Sequence, residues 1–330
     1  MALGAIVVVD GDRDVPGAFR TSHLAESGHG ETPLSFVEIL GRPLLEHMMA
    51  RLIAADVEAI TLIIHTDAFP RIPKFRGSLG NVAVEVTEEV WSMVSVTLMG
   101  YAERGISYSF VLKPTAYTEA DIVDLLDFHR QGNRAVTRAS DHAAPLDFWV
   151  VNCNGAGGGV SALSSADGAS SLAAGYFVKE YSKRITDLRD IRQLVPDAFL
   201  GRCQLRPGGM QIRPGVWAEE GVNIGRGARI VAPAYLGRGA EIKENTLVTR
   251  CSNIESFSYV DYGTVIEDSS VMPNTYVGIW LDVRHSVVRG NKLLSLKRNV
   301  MVEISDSSLI RSNSPNRQDV RGKSSRMSVA

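Results

Sequence analysis

Asp10, Asp12 and Asp14 alternate along five residues that also hold Gly11 and Arg13. Carboxylate oxygens at this density are what a hard cation such as Mg²⁺ requires, so Asp10 and Asp12 are candidate metal ligands. A solvated acidic loop satisfies the same spacing. His285, within Asp282-Val283-Arg284-His285-Ser286, is the one histidine beyond residue 206 and a candidate general base. His47 lies beside Leu44 and Leu45 on an apolar face and reads as a hydrogen-bonded structural histidine. Cys153, Cys203 and Cys251 are odd in number and lack C-x-x-C spacing, so they indicate neither a disulfide framework nor a zinc site.

The acidic cluster follows Ala5 to Val9, a continuous apolar run of the kind that forms a parallel strand buried on both faces. Residues 10–33 are rich in Gly and Pro and form a long loop; loops of this length are usually functional or disordered. Pro43 opens a helix with Leu44, Leu45, Met48, Leu52 and Ile53 on one face. Strands are expected at Ile60–Ile64, Val82–Val86 and Tyr108–Leu112, and a helix at Glu89–Arg104. Thr118 is expected to cap a helix through Phe128, with Glu119 and Asp121 in its first turn. Strands alternating with helices predict an α/β domain over residues 1–200 with a doubly wound, mostly parallel sheet. Within it, residues 154–174 are almost wholly Gly, Ala and Ser and read as a flexible insertion.

From residue 212 the pattern changes. Ile212, Ala218, Ile224, Ile230, Leu236, Ile242, Val248, Ile254, Val260, Ile266 and Met272 lie six apart and are all apolar, in a chain only 45% hydrophobic. The fourth residue after most of them is small: Ala228, Ala234, Ala240, Thr246, Ser252, Ser258, Thr264 and Ser270. A period of six excludes an α-helix, whose stripe recurs at about 3.6. It fits short strands joined by tight turns, three to a coil, as in hexapeptide-repeat parallel β-helices. The frame slips after Met272, where Val277 and Val283 take over, and the coils close near Ile310. The expected repeat domain is 205–310, and the polar residues 312–330 read as a disordered, mildly basic tail.

The 35 Lys and Arg nearly balance the 37 Asp and Glu, and no basic stripe interleaved with aromatics appears, so nucleic acid is not an expected partner. No apolar run reaches the length of a membrane span and no basic leader precedes Met1–Val9, which predicts a cytoplasmic protein.

An α/β domain in this order, joined to hexapeptide repeats, resembles the sugar-1-phosphate nucleotidyltransferases, or nucleotide-sugar pyrophosphorylases. The most specific local match is Leu40-Gly41-Arg42-Pro43-Leu44-Leu45-Glu46-His47, similar to the family's V-x-G-K-P-L-L-E-H. The resemblance implies a left-handed β-helix, a nucleotide or nucleotide sugar as ligand, and a phosphate-holding loop at Asp10, Gly11, Asp12 and Arg13. Four family landmarks are altered. One glycine remains in the loop, Thr32 stands at the phosphate lysine, and Thr115 stands at the Mg²⁺ aspartate; the later W-x-D-x-G-T is absent, Gly175-Tyr176-Phe177 being nearest. Lys113 is then the candidate to hold phosphates from across the cleft. These changes imply a silent or strongly diverged homologue that binds a nucleotide sugar or supports a partner enzyme in polysaccharide precursor synthesis. Self-association through the β-helix is the other expected partnership. An active pyrophosphorylase with a rearranged phosphate site is one alternative. A second follows from a resemblance to hexapeptide acyltransferases, which use a histidine between coils as base; here that would be His285, with Gly290-Asn291-Lys292 similar to their G-N-P turn.

Overall fold

The computed structural model describes residues 2–10, 33–68, 82–155 and 174–313. It is a mixed α/β chain that divides into two units, Met1–Leu205 and Arg206–Ala330.

The first unit is built on a seven-stranded sheet. In spatial order its strands are Ala174–Phe177, Val136–Ser140, Pro145–Asn152, Tyr108–Leu112, Leu3–Val9, Ala59–His65 and Val82–Thr87. Four neighbouring pairs are parallel and two, those made by Pro145–Asn152, are antiparallel. Leu3–Val9 sits between two parallel partners and Ala5 to Val9 are fully buried, as an unbroken apolar run requires. Its alternate residues Ile6 and Val8 pack with Ile63, Val111 and Trp149 against Val94, Leu98 and Tyr101 of the helix Val90–Glu103. Tyr101 fixes this layer. A Cβ on Gly4 would lie 2.4 Å from its ring, so only glycine admits it. Its hydroxyl, buried beneath the sheet, donates to the Ala5 carbonyl at 3.0 Å and pairs with Thr61 Oγ1 at 2.8 Å.

Local signals set two helix starts differently from the sequence reading. Pro43 is the residue preceding the helix Leu44–Ala54, and Ile53 is exposed while Met49 and Glu46 are buried. Asp121, not Thr118, caps the helix Ile122–Gln131, accepting from the Val123 and Asp124 amides at 2.9 and 3.1 Å. Thr118 ends a short strand, Ala116–Thr118, that pairs antiparallel with Ser182–Arg184, which removes it from the helix. A further helix that the sequence reading did not place, Leu188–Phe199, begins at Asp187, whose carboxylate caps the Arg189 and Asp190 amides.

The second unit is a succession of strands of two to four residues in three sheets. Val216–Ala218 pairs in parallel with Ala234–Leu236, and that strand with Ser252–Ile254; the other two sheets stack at the same interval. The chain therefore coils, each turn lying on the one before. Ile230, Leu236, Ile242, Val248, Ile254, Val260 and Ile266 form one buried core. Ile212 and Ile224, at the start of the stack, are 44% and 36% exposed because no earlier coil covers them. The interval is 18 residues from Leu236 to Ile254 and 17 from Ile254 to Val271. Val271, rather than Met272, enters the core, so the frame slips one residue earlier than the apolar pattern suggested. The shortening falls at a corner: Arg250 and Cys251 both have positive φ, whereas one coil later Asp268 alone does. Antiparallel strands end the unit at Ser286–Arg289, Lys292–Ser295 and Val300–Glu303, with Ile310–Ser312 paired to Thr275–Val277.

No helix among the described residues is long and apolar enough to cross a membrane.

Candidate functional site

In open α/β sheets the carboxyl ends of the parallel strands form the ligand edge. Leu3–Val9 and Tyr108–Leu112 run side by side, with Val7 opposite Leu112, so the next residues of each strand emerge at that edge. They are Asp10 and Lys113. The Lys113 ammonium lies 3.3 Å from Asp10 Oδ2, and both side chains are largely buried, at 16% and 10% exposure. The ammonium also faces the Trp91 ring, 5.7 Å from its centroid. Two neighbours thus hold one positive charge at the sheet edge.

A second charge pair bridges the next two strands, Pro145–Asn152 and Val136–Ser140. Asp147 accepts from Arg138 Nη2 at 2.9 Å and from Thr115 Oγ1 at 3.0 Å, and its carbonyl accepts from the Lys113 amide at 2.9 Å. Arg138 also donates to the Leu146 carbonyl and faces the Trp149 ring. Beside these groups opens a cleft walled by Met48, Leu52, Leu112, Ile122, Leu146 and Phe148 and edged by Arg51, Lys113 and Asp147. Arg51 is oriented by Gln204 Oε1 at 2.9 Å.

Among the described residues of this edge, no set of side chains fits a magnesium ion. Asp10 is matched to Lys113 and Asp147 to Arg138, and among the described residues no three His, Cys, Asp or Glu side chains cluster as a metal would need. Gly11, Asp12, Arg13, Asp14 and Thr32 lie outside the described residues, as do most of 154–174 and residues 314–330. Of the sequence candidates the structure brings Asp10 and Lys113 together. Thr115 donates its hydroxyl to the Asp147 carboxylate.

Asp147 and Arg138 escaped the sequence reading because the antiparallel pair that carries them was not recognised. The signal is present: Val136-Thr137-Arg138-Ala139-Ser140 and Leu146-Asp147-Phe148-Trp149 flank a short Asp- and Pro-containing turn.

His285 belongs to the second unit. Its Nδ1 lies 2.6 Å from Asp268 Oδ2, one coil earlier at the same corner, and both residues have φ of 47°. The imidazole is 42% exposed. His47 Nε2 donates to the Ile39 carbonyl at 3.0 Å, and burial pushes its pKa down to about 4, which is the structural role expected of it. All three cysteines are thiols; Cys153 and Cys203 are buried. Compared with protein-family models and with curated proteins, the chain matches none.

Proposed function

We propose that the first unit is a diverged nucleotidyltransferase-like domain that binds a nucleoside diphosphate or nucleotide sugar without magnesium-assisted transfer. We further infer that the coils of the second unit have the left-handed, hexapeptide-repeat form. The observation that carries the ligand reading is the Lys113 ammonium, fixed by Asp10 and Trp91 at the carboxyl edge of two parallel strands. A lysine held there supplies a point charge to a phosphate, and Asp10 fixes its position before the ligand arrives. Arg13, next to this edge in sequence, is proposed as the second cation on the diphosphate. Thr115 takes the metal aspartate's place and is occupied with Asp147, which leaves the transfer step without its usual charge neutralisation.

The test is thermal. A panel of nucleoside diphosphates and nucleotide sugars, without metal, raises the melting temperature of the full chain, since a ligand that binds only the native state stabilises it. Lys113→Ala abolishes the rise. Nucleoside triphosphates with sugar 1-phosphates and Mg²⁺ release no pyrophosphate above a blank. A turnover of roughly 1 to 10³ s⁻¹ overturns the loss of transfer, and no shift at millimolar ligand overturns the binding reading.

A second reading rests on the His285–Asp268 pair. A carboxylate on Nδ1 orients the ring so that Nε2 can take a proton from a hydroxyl or amine, as acyl transfer requires. It predicts acyl-CoA-dependent acylation lost in His285→Ala.

A further inference from the structure

One corner of the coil stack is formed by Gly227, Asn245, Gly263 and Trp280, all with positive φ. The corner needs a left-handed residue, a conformation open to glycine and asparagine and adopted reluctantly by a bulky L-residue. Trp280 adopts it with φ of 53° and leaves its side chain 70% exposed, the largest exposure of any aromatic among the described residues. The turn itself does not require a tryptophan there. What sets Trp280 apart from Phe257, which has φ of 56° at another corner and is 43% exposed, is the extent of its exposure.

The indole is held rather than loose. A Cβ on Gly263 would come within 2.8 Å of it, so the ring lies against bare backbone. Tyr262 meets it edge to face, with centroids 5.4 Å apart at 79°. The Trp280 amide donates to the Tyr262 carbonyl at 2.9 Å. The Tyr262 hydroxyl in turn accepts from the Asn245 carboxamide at 3.0 Å. One side of the indole is seated on the protein, and the tyrosine packed against it carries a hydroxyl that is bonded to the Asn245 carboxamide.

From this arrangement we infer a saccharide-binding platform at the Gly227–Asn245–Gly263–Trp280 corner, taking the flat C–H face of a neutral hexopyranose. Polarised C–H bonds of a pyranose lie against a π-face as other partial positive charges do, and the ring hydroxyls find donors and acceptors on Tyr262 and Asn245. A protein hot spot would instead be ringed by contacts that exclude water. The platform is independent of the nucleotide reading of the first unit.

The full chain is mixed with short gluco-, galacto- and manno-configured oligosaccharides, and binding is read by ligand-observed NMR, which does not depend on tryptophan emission. At least one configuration binds. Trp280→Gly weakens that binding by about tenfold or more while its melting temperature stays level or rises, because the corner is relieved. Trp280→Phe retains part of the affinity. Phe257, which lies on Gly239 in the same manner at another corner, serves as control, and Phe257→Gly leaves binding unchanged. Absence of binding by every oligosaccharide, or equal binding by Trp280→Gly, overturns the inference. So does self-association of the wild-type chain that Trp280→Gly abolishes without any saccharide bound, which makes the corner a protein contact.

Discussion

In the second unit a buried hydroxyl recurs at successive corners. Ser252, Ser258, Thr264 and Ser269 each accept from the amide 17 residues on; Ser258 and Thr264 donate to the carbonyl 14 residues on, whereas Ser252 and Ser269 lie closer to the Thr249 and Glu267 carbonyls. In the first unit each polar contact at the sheet edge is made once: Asp10 to Lys113, Thr115 and Arg138 to Asp147. Repetition and singularity have different physical consequences. A repeated contact is set by the fold, and each copy supports its neighbours. A contact made once answers to its own surroundings, and charge is placed there only where something else requires it.

Three sets of substitutions sharpen this contrast. The largest effect is expected in the coil core, where Ile242 is 1% exposed. Ile242→Asp buries an unpaired carboxylate and lowers stability by about 3–5 kcal/mol, measured by denaturant unfolding. Arg229→Asp on the exposed surface of the same coils changes it by less than about 0.5 kcal/mol. Equal losses would contradict the single-core arrangement. Next comes the hydroxyl ladder. Ser258→Ala strands the Thr275 amide and the Met272 carbonyl and costs about 1–3 kcal/mol, whereas Ser258→Thr, which keeps the oxygen, costs less.

The smallest effect belongs to a contact made once in the first unit. His47 titrates near 6.5 when unfolded and near 4 when folded, so between these values the unfolded chain binds the extra proton. Stability therefore falls as pH drops through this window, by no more than about 1 kcal/mol at pH 6. His47→Gln flattens that part of the acid limb. An unchanged limb would show that the imidazole is more hydrated than its burial implies.

The same contrast explains what could be read from the chain alone. Period six is redundant, so the coils were legible even though Ile212, Ile224 and Met272 depart from the core. The slip was misplaced by one residue because Val271 and Met272 are both apolar and both buried. Hydropathy cannot choose between adjacent apolar residues; register can. The buried parallel strands were legible as unbroken apolar runs. The charge cluster was not, since Asp147 reaches Thr115 and Arg138 only through an antiparallel pairing that no local pattern announces strongly. Asp10 and Lys113 were named separately from the sequence, and their ion pair is a product of two strands meeting.

The hydroxyl ladder joins each coil only to the next, so the second unit behaves as a one-dimensional array whose local stability depends on distance from its ends. The first coil, with Met210 at 76% exposure and Ile212 and Ile224 partly bare, has a neighbour on one side alone. Unfolding excursions begin there and lose momentum coil by coil. Amide hydrogen exchange records this as a gradient: fast near residues 210–224, slowest around Ile254, Val260 and Ile266, where coils stack on both sides. The unit is thus graded in its permanence along its own axis, with its most lasting part in the middle of the stack.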